Sequence, residues 1–279
     1  MKILITGKNS YISRKIFYFF KKNKNIKVSL ISVRHNSDFS NINFKDVDIF
    51  IHLGSLVHKK ENKYSYLDYY NSNVKLTKNL IDHSIKNNVK HFIYFSSMSV
   101  FGNSQVINND TIPIPKSKYG KSKLEAEKYL LSLNGIKTKI SIIRPPVVFG
   151  RQAPGNPKLL ELLSKYLRFI PNIINRKSII FINSLIQHVY EVIQLKHPQI
   201  THPQMNTYFS TVKLIELIRI YQNKKTFKTN LLNLIFYSLF FLSFIRKAFS
   251  NQIYEIDSKN SNFSQLYDFH QDRFKDLYE

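Results

Sequence analysis

Short apolar runs alternate with longer amphipathic stretches through the first half of the chain. Ile3–Thr6, Val28–Val33, Asp48–Leu53, His91–Phe95 and Lys139–Ile143 are each too short for a helix. They are rich in Ile, Val and Phe, as strands buried on both faces are. Helical patterning fills Tyr11–Lys22, Tyr64–Asn87 and Tyr119–Leu133. Strand and helix in alternation predict an α/β fold on a doubly wound parallel sheet, which offers ligands the carboxyl ends of its strands. About fourteen residues separate Val33 from Asp48. A whole βαβ unit takes about 30 residues, so an abbreviated third strand, or an abbreviated helix before it, is expected there. After Gly150 the alternation stops: "RQAPGNPK" reads as a loop, followed by helices and short strands in no regular order. A region capping a substrate is expected there.

Residues 231–249, "LLNLIFYSLFFLSFIRKAF", are nearly apolar all round. A spanning helix wants about 20 consecutive apolar residues, and Asn233, Ser238 and Ser243 interrupt this one. The reading favoured is a helix docked on the second region. Phe236, Leu239, Phe240, Phe241 and Phe244 nevertheless wrap too much of its circumference for one buried stripe. A partner subunit in a homodimer, or peripheral contact with an acidic membrane surface, is left to cover the remainder.

Composition narrows the function classes. The 279 residues include no cysteine, which excludes disulfides, thiol catalysis and cysteine-zinc sites. No metal site is expected. The opening apolar run stops at Thr6-Gly7, too short for the core of a signal peptide, and a cytoplasmic protein is expected. The formal charge of +24 invites a nucleic-acid partner, but only nine of the 42 basic residues are Arg and Lys is scattered. No basic block with interleaved aromatics stands out. A solvated Lys-rich surface is the favoured account, then an anionic small substrate; no nucleic acid is expected.

Four stretches carry candidate chemistry. "TGKNSYIS" follows the first strand and opens a helix, the layout of a dinucleotide-binding turn that normally has glycine at three places. Gly7 holds the first; Ser10 and Ser13 hold the others. "YGKSK" sets Tyr119 and Lys123 four apart on one helix face, where an ammonium would lower the phenol's pKa toward working pH. "FIYFSSMSVFG" puts Ser96 and Ser97 where the run His91–Phe95 ends, placing a hydroxyl that can bond a carbonyl or alkoxide oxygen. "IIRPPVVFG" follows about twenty residues after the Tyr/Lys helix begins. The second strand ends "LISVRH", with Ser32 and Arg34 where an NAD site shows an acidic residue. Arg34 suits a 2′-phosphate, or is an ordinary loop arginine.

Taken in order, these stretches resemble the extended short-chain dehydrogenase/reductase family, the NAD-dependent epimerase/dehydratases. "TGKNSYIS" matches its T-G-x-x-G-x-x-G loop, "DVDIFIHLGSLVH" its D-x-V-I-H-L-A-A strand and "NSNVKLTKNLI" its N-V-x-G-T-x-N-L helix. "FSSMSVFG" matches S-S-x-x-V-Y-G, "YGKSK" matches Y-x-x-S-K, and "IIRPPVVFG" matches R-P-x-x-V-Y-G. "KSIIFINSL" is similar to the later R-S-F-V-x-V-D-D-L. The resemblance implies a Rossmann-type NAD(P)-binding domain at 1–150, with a return contribution near 177–197. Residues 151–176 and 198–279 would form the substrate-binding region.

By the same resemblance Ser97, Tyr119 and Lys123 are catalytic, Tyr119 as general acid/base. Gly7, Ser10, Tyr11, Ile12, Ser32, Arg34, Leu53, Gly54, Ser55 and Pro146 would bind NADP or NAD, together with Tyr119 and Lys123. Ser97 and Lys177 would contact a UDP-sugar, Lys177 standing where an arginine often holds the diphosphate. Asn183 and Ser184 replace an acidic pair. The narrower similarity is to 4-ketoreductases of bacterial capsule and O-antigen assembly, which act on UDP-4-keto-6-deoxy-N-acetylhexosamines. A UDP-hexose 4-epimerase is the alternative, and an inactive cofactor-binding scaffold a further one.

Overall fold

The computed structural model describes residues 1–33, 42–57, 63–195, 197, 199–238, 241–242, 246, 248–256, 263–271 and 274–278. Its central element is a parallel sheet of β1 (Lys2–Thr6), β2 (Lys27–Ile31), β3 (Ile49–His52), β4 (His91–Phe95), β6 (Lys139–Ile143) and β10 (Ile200–Thr201). The order is β10-β6-β4-β3-β1-β2, and every pairing is parallel. All residues of β3 and β4 are buried, so neither strand alternates; helices on both faces leave no wet side. The sheet is the doubly wound one expected from the pattern. Between β2 and β3 the described residues 42–48 form neither helix nor strand, which suits the short spacing there. Phe44, Phe50 and Phe92 stack across this region with centroids 5.4 Å apart in each pair.

Helix α1 (Tyr11–Lys21) buries Ser13, Ile16 and Phe20 along one face. The stretch expected as one helix over 64–87 is three pieces: α2 (Tyr66–Tyr69), a π-helical segment Tyr70–Lys75, and α3 (Leu76–Lys86). A capping box starts it, the Ser65 hydroxyl accepting from the Asp68 N–H while the Asp68 carboxylate accepts from the Ser65 N–H. Helix α4 (Lys118–Ser132) begins at a second cap, the Ser117 hydroxyl accepting from the Gly120 N–H at 2.9 Å.

The chain forms two compact units. Met1–Asn103, Thr111–Pro145 and Ile186–His202 make the first, which holds the whole central sheet. Ser104–Asp110, Pro146–Leu185 and Pro203–Glu279 make the second. Its strands pair two by two, all parallel: β7 (Val147–Phe149) with β9 (Ile179–Phe181), and β8 (Phe169–Pro171) with β12 (Phe227–Thr229). β5 (Val106–Ile107) pairs with β13 (Ile253–Tyr254), and β11 (Pro203–Met205) with β14 (Gln265–Tyr267). Helices α5 (Asn156–Tyr166) and α7 (Thr211–Tyr221) pack against each other. Helix α6 (Ile182–Gln194) follows β9, and α9 (Phe274–Tyr278) comes last.

The apolar stretch 231–249 is not one continuous helix. Helix α8 covers Leu231–Ser238 alone, and the Ser238 hydroxyl turns back to donate to the Ile235 carbonyl at 2.8 Å. Phe241 and Leu242 lie in a turn and a bend; Leu239, Phe240, Ser243 and Phe244 are outside the described residues. Among the described residues no helix is long and apolar enough to cross a membrane.

Candidate active site

The loop after β1 is built around Gly7, whose φ of +91° is one L side chains rarely adopt. Ser13, fully buried, donates its hydroxyl to the Gly7 carbonyl and lies 3.1 Å from the Ser10 carbonyl. The serine in the third glycine place therefore ties the loop to α1 and does not disrupt it. Ser10 is the N-cap of α1 but makes no side-chain capping bond, and the first turn holds no acidic residue. The N–H groups of this helix start are left for an anion, which fits a dinucleotide pyrophosphate. Tyr11 and Ile12 beside it are half-buried. An open cleft of about 750 Å³ is lined by Lys8, Ile31, Ser32 and Ile42, with Ser32 exposed at its edge. Arg34 lies outside the described residues.

A chain of hydrogen bonds runs from this loop to α4. The Thr6 hydroxyl accepts from the N–H groups of Leu53 and Gly54, each at 3.1 Å, and sits 2.8 Å from His52 Nδ1. His52 Nε2 lies 3.0 Å from the Thr77 hydroxyl, whose proton goes to the Asn73 carbonyl at 2.6 Å. Thr77 must then accept from His52, which fixes a neutral imidazole protonated at Nε2. Burial, and next the charge of Lys123, hold the His52 pKa well below the usual histidine value. The π-helical segment aims Asn73 inward. Its side chain accepts from the Leu56 N–H at 2.7 Å and donates to the Leu56 carbonyl at 3.1 Å and the Ser122 hydroxyl at 2.9 Å. Ser122 in turn donates to the Tyr119 carbonyl.

Tyr119, Ser97 and Lys123 come together beyond the end of β4. Ser97 caps the 3-10 turn Met98–Phe101, accepting from the Ser99 N–H at 3.1 Å. That turn touches α4 where Gly120 sits: a Cβ there would come within 2.5 Å of the Ser99 carbonyl. Only glycine at this place lets the Ser97 turn reach the Tyr119 helix. The hydroxyls of Ser97 and Ser55 act on the Tyr119 phenol and favour its ionised form. Ser96, next to Ser97, is buried. Lys123, almost wholly buried, donates to the Phe95 carbonyl at 2.7 Å, with its nitrogen 4.6 Å from the Tyr94 ring and 5.8 Å from the Tyr119 ring.

The electrostatics differ from the expectation that Lys123 lowers the tyrosine pKa. Burial pushes the Tyr119 phenol up to about 12, against a downward pull from Ser97 and Ser55. Burial brings Lys123 down to about 7, with Glu127 opposing it. Both groups have lost water, and desolvation favours their neutral forms more than their separation favours a phenolate–ammonium pair.

One helical turn beyond Lys123, Glu127 is fully buried and forms a two-pronged ion pair with Arg144 of "IIRPPVVFG". Arg144 Nε donates to Oε1 at 3.0 Å and Nη2 to Oε2 at 2.7 Å; the guanidinium lies 5.1 Å from the Phe101 ring centroid. The pair ties the end of β6 to the helix carrying Tyr119 and Lys123.

In the second unit, Pro146 is buried just before β7. Lys177 is half-buried, exchanges backbone hydrogen bonds with Phe209 at 2.9 and 3.0 Å, and is drawn down to about 8 by burial. Asn183 donates to the Asp276 carbonyl, a tie within that unit, and Ser184 is buried. Among the described residues no cluster of His, Asp and Glu could hold a metal ion. Sequence reading passed over His52, Asn73, Thr77 and Gly120. The pairing of Asn73 with Thr77 four residues later, inside a helical stretch, was the available signal.

Comparison with known proteins agrees with this geometry. The profile of the NAD dependent epimerase/dehydratase family matches residues 3–189. The chain is 28% identical over 206 residues, 70% of its length, to a UDP-glucose 4-epimerase of Vibrio cholerae. It is 32% identical over 127 residues, 43% of its length, to an N-acetyl-alpha-D-glucosaminyl-diphospho-ditrans,octacis-undecaprenol 4-epimerase of Escherichia coli O157:H7. These matches span 62% and 38% of the two relatives. A Bacillus cereus UDP-glucuronic acid 4-epimerase solved with NAD shares the fold over 100% of both chains, with a TM-score of 0.71 at 18% identity. A dTDP-4-dehydrorhamnose reductase from Clostridium acetobutylicum does so over 82% of this chain and 83% of its own, with a TM-score of 0.66 at 22% identity. The chain belongs to the NAD dependent epimerase/dehydratase family.

Proposed function

We propose that this chain is an enzyme acting at C4 of a UDP-linked sugar, and that the reaction is 4-epimerisation. The observation that carries the reading is the cluster beyond the end of β4, where buried Tyr119 and Lys123 meet the half-buried Ser97 and Ser55. Bound NAD supplies hydride exchange with C4. Everything else falls to the chain. Tyr119 donates its phenol proton to the C4 oxygen when hydride arrives there, the phenolate so formed takes that proton back from the C4 hydroxyl when hydride leaves, and Ser97 bonds that oxygen. Lys123 steadies the charge that develops on the phenol. Gly7, Ser10 and the start of α1, with Tyr11 and Ile12, would hold the pyrophosphate, and Leu53, Gly54 and Pro146 would border the dinucleotide. Lys177 contacts the UDP diphosphate as a point charge. The two curated relatives, both 4-epimerases by name, favour epimerisation over net reduction.

One observation favours a second reading, a 4-ketoreductase using NADPH in cytoplasmic polysaccharide assembly. The residues after β2 are Ser32, Val33 and Arg34, with no acidic side chain to accept from a ribose hydroxyl. The purified protein, given UDP-glucose or UDP-N-acetylglucosamine with no added dinucleotide, distinguishes the readings by proton NMR. Appearance of the C4 epimer supports epimerisation. Turnover only with a UDP-4-keto sugar and stoichiometric NADPH supports the reductase. Absence of both activities contradicts the enzyme reading.

A further inference from the structure

We propose that the outward face of α8 seats the second unit on an anionic lipid bilayer. Helix α8 has its polarity reversed for a helix that borders water. Its polar residue points in: Asn233 Oδ1 accepts from the Asn172 N–H at 2.7 Å, and Nδ2 donates to the Asn172 carbonyl at 3.3 Å. Phe236 joins the same side, packing with Ile170, Ile173 and Phe249. The opposite side is apolar and open. Leu231, Leu234 and Ile235, at spacings that share one face, are 74, 73 and 52% exposed, and Tyr237 is 57% exposed. Ile174, two residues past Asn172, is also open to solvent, at 88% exposed.

The charges around this surface select its partner. No Asp or Glu occurs between Glu161 and Glu191, or between Glu216 and Glu255. Lys165, Arg168, Lys224 and Lys225 fall within these acid-free stretches, as does Lys228, which pairs with Glu216 of α7. They lie on or next to the elements carrying the apolar surface: Lys224 bonds the Lys165 carbonyl, and Arg168 lies 5.0 Å from the ring of Phe227, which pairs with Phe169 across β8 and β12. A second copy docking through the same face would set lysine against lysine, and the neighbouring carboxylate, Glu216, is already paired with Lys228 at 2.8 Å. An anionic bilayer meets both demands, with an acyl boundary for the leucines and phosphates for the lysines. It also accounts for a positive excess that a small-molecule site does not need.

The chain has no tryptophan, so Leu234→Trp creates a single reporter on the outward face. With vesicles of phosphatidylcholine and phosphatidylglycerol, its emission shifts to the blue; with phosphatidylcholine alone it does not. In flotation assays the full wild-type chain rises with the anionic vesicles. Leu234→Gln lowers that partition roughly tenfold, and Lys224→Gln lowers it by about fivefold. Circular dichroism of each variant confirms that it is folded. An unshifted Trp emission on anionic vesicles overturns the proposal. So does equal flotation of wild type and Leu234→Gln. A dimer that Leu234→Gln splits, without vesicle binding by the wild type, assigns the face to a second copy and overturns it as well.

Discussion

Removing one partner of the Glu127–Arg144 pair tests how the catalytic helix is held. Glu127 is wholly buried and the Arg144 side chain is 9% exposed, so neither charge can return to water when the other goes. Arg144→Met leaves a carboxylate inside the fold that two nitrogens now bond at 3.0 and 2.7 Å. Breaking a buried pair in this way costs about 3–5 kcal/mol. Glu127→Leu strands the guanidinium beside the Phe101 ring, at a comparable cost of about 3–5 kcal/mol. Replacing both, Glu127→Leu with Arg144→Met, removes the stranded charge and returns stability to within about 2 kcal/mol of wild type. Urea unfolding of the four proteins, followed by far-ultraviolet circular dichroism, gives the cycle. Singles that each cost under about 1 kcal/mol, or costs that simply add, would refute the reasoning.

Three further outcomes are expected. Gly120→Ala drives a methyl group toward the Ser99 carbonyl and parts Tyr119 from Ser97, lowering kcat roughly 10²-fold; an unchanged kcat would show that the close approach is not needed. Burial brings His91 to about 4 and His188 to about 3. These folded values lie below the unfolded one, so the unfolded chain gains protons first as pH falls from about 6.5, and stability drops across the window down to about 4 and then about 3. His188→Gln keeps a donor for Thr201, so between about pH 7 and about pH 5 it should lose about 2 kcal/mol less stability than wild type; parallel curves would contradict this. Arg34→Ala should weaken NADPH more than NADH, since only NADPH carries a 2′-phosphate; equal weakening in titrations would assign Arg34 another role.

Much of the first unit was legible because β3 and β4 are short runs buried along their whole length, as strands covered on both faces are; the edge strand β2, with its residues exposed or half-buried, is the exception. Helix starts were not read from caps: the patterning began at Tyr64 and Tyr119, while Ser65 and Ser117 are the N-caps. Other features were hidden. The π-helical turn at Tyr70–Lys75 leaves no mark in hydrophobic spacing, yet it aims Asn73 inward. Tyr119 and Lys123 were found by their spacing, but their electrostatics came out reversed, because spacing carries no information on burial. The Ser55 hydroxyl also acts on Tyr119, an approach of loop and helix that no local pattern encodes. In the apolar stretch 231–249, composition suggested one long helix; α8 covers Leu231–Ser238, and Phe241 and Leu242 lie in a turn and a bend.

The central claim is that Tyr119 moves a proton at the sugar C4 oxygen as hydride leaves or returns. Its most direct test mixes the NAD-loaded protein with UDP-sugar and follows the rise of reduced-nicotinamide absorbance in a single turnover, for wild type and Tyr119→Phe. With dinucleotide affinity unchanged, the variant is predicted to be about 10²–10⁴ slower. A variant that reduces the bound nicotinamide at the wild-type rate would contradict the account.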